Sequence, residues 1–133
     1  MRELDKDYSG TQVIDYNGKP ITVDVRVYTD FDELFDLNDF EDEATRNQLE
    51  RDIERGRADV LVIMIEVDSK DVPGVQGLDA LGGCIVYNRN DFKLLLEEHQ
   101  MIHNAILDFK AQIPIAIESL SERLAKLNSL EAK

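Results

Sequence analysis

Two histidines, one cysteine and a dense run of carboxylates are the residues in this chain whose types and spacing bear on chemistry. His99 and His103 stand four apart, a spacing that brings two imidazoles to one metal ion when both lie on a helix. Between them are Gln100, Met101 and Ile102. A metalloprotease helix needs Glu where Gln100 stands, because a carboxylate must take a proton from the metal-bound water. Glu97 or Asp108 would serve as a third ligand only if tertiary structure brought it in. The expected arrangement is one histidine in an apolar seam and one on the surface, with a metal site through His99 and His103 as an alternative. Cys84 sits beside Ile85 and Val86, the setting of a buried, inert thiol. Ser119 and Ser121 have no adjacent histidine, and Gly82-Gly83 lacks the Lys and the spacing of a phosphate loop. No catalytic constellation emerges. The expectation is a protein that is not an enzyme, with no cofactor and no resident metal.

The carboxylates are another matter. Eight of the fourteen residues from Asp30 to Glu43 are acids: Asp30, Asp32, Glu33, Asp36, Asp39, Glu41, Asp42 and Glu43, with no Lys or Arg among them. An EF-hand loop needs Gly at its sixth position and Glu at its twelfth. Counted from Asp30 the sixth residue is Phe35, and counted from Asp36 the twelfth is Asn47, so neither frame fits. Too many acids crowd the run to single out an acid–base pair, which needs two distinct, partly desolvated environments. Clustered like charge repels itself in the folded state, so it serves either solubility or a basic partner. Tyr28, Phe31, Phe35 and Phe40 flank or interrupt the run. They read first as pins holding the segment on a sheet, and second as anchors of an interface with a charged rim.

The net charge of −13 makes the same choice of partner. Acids outnumber bases 28 to 15, which disfavours direct contact with nucleic acid or an anionic membrane and favours a basic protein surface. A single cysteine excludes an intrachain disulfide and suits a reducing cytoplasm. No apolar run follows the charged start Met1-Arg2-Glu3, and the longest one, Val60 to Ile65, is far short of the roughly 20 residues of a membrane span.

The elements that must position these groups read as an α+β domain over residues 1–133, a small four-stranded sheet in the order β-β-α-β-β-α-α with long C-terminal helices. Residues 1–10 are expected to be loose. Thr11–Tyr16 and Ile21–Tyr28 are strands joined by Asn17-Gly18, the pair that a type I′ hairpin turn requires. Ile21, Val23, Val25 and Val27 alternate with polar residues, giving one buried face. Capping boxes at Asp30/Glu33 and Asn38/Glu41 suggest a helical turn over 31–37 and a helix over 39–55 ended by Gly56. Ala58 to Val67 is apolar at nearly every position, as in a strand buried on both faces. A loop over 68–83 leads to a strand over 81–87, where Gly82-Gly83 marks a bulge or a close backbone approach. Asn88 or Asn90 caps a long helix.

Leu95, His99, Ile102, Ile106, Phe109 and Ile113 form a helical seam that Ile117, Leu120, Leu124 and Leu127 resume. Its 33 positions would stretch about 50 Å, too long for one small sheet to cover. Two solutions exist: Pro114 breaks or kinks the helix so that it folds back, or the part over 115–133 protrudes and forms a homodimer through Ile117, Leu120, Leu124 and Leu127.

The stretch Asp79 to Tyr87 followed by Asp91-Phe92, with the helix Leu49 to Ile53 ahead of it, resembles a segment of small acidic accessory proteins carried by phages and plasmids. The resemblance covers roughly residues 45–105, and the long C-terminal helices depart from the usual short form. It implies a place among mobile-element proteins, some of which inhibit host defence by imitating DNA with acidic side chains. The first functional expectation is thus an acidic protein-binding module occupying the nucleic-acid site of a basic host protein. Carboxylates three or four apart on a helix would stand in for a row of phosphates. The second is a self-associating scaffold that uses the C-terminal seam.

Overall fold

The computed structural model describes residues 2–40 and 42–131. Four strands, β1 (Glu3–Tyr16), β2 (Lys19–Phe31), β3 (Asp59–Asp68) and β4 (Gln76–Val86), pair antiparallel in chain order. Three helices, α1 (Glu43–Glu54), α2 (Arg89–Glu98) and α3 (Met101–Glu131), complete the α+β fold. The β1–β2 hairpin turns on Asn17 and Gly18, both at positive φ. Val23, Val25 and Val27 of β2 and Ile63, Ile65 and Val67 of β3 point to one face, where α2 and α3 cover them. The opposite face of β3 carries Val62 and Met64, which are only half-buried, so this strand is not sealed on both faces.

Residues 3–10 belong to a strand, where a loose segment was expected. β1 begins at Glu3 and is interrupted between Asp5 and Gly10 by extra residues that bulge from the ladder. The bulge closes on itself. The Asp5 carboxylate accepts the amides of Asp7 and Tyr8, and the Ser9 hydroxyl accepts the amide of Val27 at 2.9 Å. Arg89, at the start of α2, reaches back to Asp5 at 2.7 Å and Asp7 at 3.1 Å and lies over the rings of Tyr8 and Phe92.

Burial works to raise the Asp5 pKa, but hydrogen bonding and charge from Arg89 hold it below the ordinary carboxylate range. A depressed folded pKa contributes stability above the unfolded value and loses it as pH falls through the folded one. Arg89→Ala strands a carboxylate whose side chain is only 9% exposed. Because the guanidinium is more than half exposed, we expect a loss of about 1–2 kcal/mol at pH 7. The loss should shrink below about pH 4, as Asp5 takes up a proton in both proteins. Urea melts of the two proteins at pH 7 and pH 3 check this; a pH-independent difference would contradict the pairing.

Two features shape the other edge. β4 runs from Gln76, longer than the strand expected over 81–87, because the connecting loop needs only 69–75. A bulge sits at Gly82–Gly83, where Leu61 faces Cys84 but Ile63 faces Leu81, and Gly83 takes φ +65°. The amides of Leu78 and Gly83 in β4, and of Tyr87 just past its end, are each taken by a carboxylate, from Asp108, Asp32 and Asp91 respectively. Those bonds occupy edge donors that would otherwise invite another strand.

The helical seam breaks at a different place from the one expected. α2 ends at Glu98, His99 caps it, and Gln100 takes φ +48° before α3 starts at Met101. The Asn104 side chain closes the junction by donating to the His99 carbonyl at 3.0 Å. Asn88, which accepts the Asp91 amide, is the N-cap of α2. α3 then runs unbroken through Pro114. A proline within a helix removes one donor. Here it stands exposed on the surface of the helix.

Candidate interaction surfaces

α3 is two helices in one. In its first half Met101, Ala105, Phe109 and Ile113 are buried against the sheet, with Ile102, Ile106 and Ala116 half-buried beside them. Gly77 of β4 makes room for this contact. A Cβ there would lie 2.3 Å from the Ala105 carbonyl oxygen and 2.4 Å from the Phe109 amide nitrogen. Asp108 fixes the level of the helix along the strand through its 2.8 Å bond to the Leu78 amide.

From Ile117 to Glu131 every residue is exposed. This arm is about 22 Å of helix, and beside its base the loop over 73–76 shares a groove with Ser119, Leu120 and Arg123. Ile117, Leu120, Leu124 and Leu127 are 57–60% exposed, and Leu130 is 62% exposed. At 100° per residue, these four lie within about 80° of the bearing of Phe109. The arm's apolar stripe therefore continues the buried face of α3, past the end of the sheet that buries it. Leu130 extends this stripe but was missed in the sequence reading, as was Ile115, which is exposed about 120° from the bearing of Phe109 and off the stripe. Leu130 follows Leu127 by three, so its signal was in the spacing. Leu95 and His99 belong to the preceding helix and its cap, not to the seam of α3.

The acidic run does not form the helical row that its spacing suggested. Phe31 ends β2, the stretch over 31–37 is not helical, and a single 3₁₀ turn occupies Leu37–Asp39. α1 begins only at Glu43. The reason is local. Asp and Asn side chains bond their own backbone two residues on, in competition with helix. The Asp32 carboxylate accepts the Leu34 amide at 3.1 Å and the Gly83 amide at 2.7 Å. Asp36 accepts the Asn38 amide at 2.9 Å. Asp42 caps α1 through the Ala44 amide and is bonded by the Thr45 hydroxyl, bonds that hold its carboxyl below the ordinary range. The caps are thus Asp36 and Asp42 in place of the expected boxes. Asp30 accepts the Phe31 amide. Glu33 and Glu43 are exposed at the two ends of the segment. Glu41 and the Asp39 side chain lie outside the described residues. No Lys or Arg lies in ion-pair contact with Asp32, Glu33, Asp36, Asp42 or Glu43 among the described residues. Phe35 and Phe40 pack edge to face at 6.0 Å, pinning the segment near the β4 bulge, whereas Phe31 is 65% exposed.

α1 is held lightly, with Leu49 and Asp52 its only buried residues. Asp52 accepts from Gln48 at 3.0 Å and from the Tyr87 hydroxyl at 2.9 Å, and this bond to a carboxylate raises the tyrosine pKa.

The remaining candidates do not assemble into a reactive centre. His99 caps α2 and His103 lies in α3, so the turn at Gln100 undoes the helical spacing that would pair them. Among the described residues no group of three or more His, Cys, Asp and Glu is placed to hold a metal. Cys84 is buried, and burial above all pushes its thiol up to about 11. No helix among the described residues is long and apolar enough to cross a membrane. Comparison of the chain with protein-family models, curated proteins and solved structures finds no match.

Proposed function

We propose that this protein acts by binding other protein chains and that the arm of α3 is its self-association element. One observation carries the reading: the stripe of Ile117, Leu120, Leu124 and Leu127 lies open to solvent in line with a face that is otherwise buried. A lone helix of about 15 residues is marginal in water, so the arm is the element that gains most from a partner. Each aliphatic side chain buried there recovers roughly 1–2 kcal/mol. Ile and Leu at 4-3-4-3 spacing is the pattern that packs helix on helix.

Sedimentation velocity over a concentration series tests this. The unmodified chain should pass from monomer to dimer, and Leu120→Gln with Leu124→Gln and Leu127→Gln should remain monomeric with an unchanged melting temperature when dilute. Glutamine keeps the helix propensity while removing the apolar surface. A monomer at every concentration would overturn the proposal.

A second reading is supported by the segment from Asp30 to Glu43, whose sequence holds eight acids and no base and which links the end of β2 to the start of α1. There the protein would offer a carboxylate cluster to a basic surface, such as the nucleic-acid site of a host protein, in keeping with the resemblance to phage and plasmid accessory proteins. Association would be steered by charge and weakened by salt. Glu33 and Glu43 are the residues to change, since their carboxylates hold no turn or cap together. Reversing both to Lys should weaken capture of basic proteins from lysate at low salt while leaving the melting temperature alone. Unaltered capture would reject this reading.

A further inference from the structure

We propose that two copies pair through their arms in antiparallel fashion, with the two bodies at opposite ends. This rests on the self-association reading above and adds its geometry. The stripe is self-complementary about a point near Glu122. With the chains reversed, Ile117 of one copy lies level with Leu127 of the second copy, and Leu120 with Leu124 of the second copy. All four layers are filled.

A parallel pair would fill them too, but the fold forbids it. The stripe faces the same side of α3 as Met101, Ala105, Phe109 and Ile113, and on that side β3 and β4 already pack. Paired helices run 8–10 Å apart. A parallel second copy would place its own residues 101–113 where the first copy has its sheet. In the reversed orientation, only the second copy's arm occupies the space beyond the sheet.

Charge acts in the same direction. Over 117–133 three acids (Glu118, Glu122, Glu131) balance three bases (Arg123, Lys126, Lys133), so the whole net charge of −13 resides in the body. Reversal keeps two such bodies apart, where a parallel pair would press them together. Self-repulsion is absent from the arms themselves.

The base of the arm is shaped for the incoming tip. A groove of about 510 Å³ runs between the loop Pro73–Gln76 and α3, lined by Gln112, Ile115, Ala116 and Ser119 among others. In the reversed register, Leu130 of the second copy arrives level with Pro114–Ala116 and enters this groove.

The experiment is a distance measurement between nitroxide labels at His103→Cys in a Cys84→Ala background. His103 is exposed and far from the arm. Antiparallel arms put the two labels about 55 Å apart, counted at 1.5 Å per residue, and parallel arms put them within about 20 Å. A long distance in a confirmed dimer supports the proposal. A short distance in a confirmed dimer overturns the orientation and leaves self-association standing, whereas a monomer by sedimentation removes both. For the groove, Leu130→Ala should raise the dimer dissociation constant several-fold, and an unchanged constant would overturn the seat assigned to Leu130.

Discussion

Replacing Gly77 with alanine should lower the stability of the protein by about 3 kcal/mol or more, the upper range for forcing atoms into a packed core. The new Cβ would meet the Ala105 carbonyl oxygen at 2.3 Å, the Phe109 amide nitrogen at 2.4 Å and the Phe109 Cβ at 2.6 Å. The first two are backbone atoms of α3, so no rotamer change relieves the contact. The helix as a whole must lift from β4. Lifting stretches the 2.8 Å bond from Leu78 to Asp108 and opens space around Met101 and Phe109, both fully buried. For a chain of this size we expect a drop in melting temperature of roughly 10–15 °C. Gly10→Ala is the matched control, because a Cβ at Gly10 meets nothing within 4 Å and the residue does not have positive φ. It should melt within a few degrees of the unmodified chain. A Gly77→Ala protein that did the same would mean that α3 does not rest on β4 at this distance.

Gly77 also shows which parts of this fold the sequence announces. The sheet was legible because alternation is a direct consequence of burying one face: Ile21, Val23, Val25 and Val27 point where the pattern says, and Asn17-Gly18 turns between the strands. The bulge at Gly82–Gly83 was legible for the same kind of reason, as a glycine pair inside a strand. The close approach at Gly77 was not. It depends on α3 crossing β4 opposite Ala105, a contact between residues 28 apart in sequence that no local pattern encodes. The acidic run was misread in the other direction. Its charge was plain, but whether Asp32, Asp36 and Asp42 extend a helix or fold their own turns is a contest between bonds of similar strength, and the turns win. The helix break fell at Gln100 and not at Pro114 for a related reason. A left-handed residue closed by the Asn104 side chain ends α2, while Pro114 stands exposed on a helix that continues. The arm, by contrast, was half written in the spacing. The seam was visibly too long for the body; which end was left over depended on where α3 met the sheet.

That division of α3 makes a sharp contrast between two substitutions fifteen residues apart and about 60° apart in bearing. Phe109 is fully buried, while Leu124 is 60% exposed. Phe109→Ala removes a ring from the centre of the core beneath the helix and leaves a cavity that Ala105 and Gly77 are too small to fill. The expected loss is about 3–5 kcal/mol, enough to unfold a domain of ordinary stability. Leu124→Ala removes a large aliphatic side chain from a surface with nothing against it, so the dilute monomer should melt within a degree or two of the parent. Alanine even favours the helix. If α3 self-associates, the same Leu124→Ala change should raise the dimer dissociation constant at least tenfold, since the residue belongs to two of the four layers the dyad creates. Melting curves at low and high protein concentration separate the two effects: Phe109→Ala falls at both, and Leu124→Ala only where the parent protein is paired. A Leu124→Ala monomer as unstable as Phe109→Ala would show that the arm folds back onto its own body, and the apolar stripe would then belong to the core.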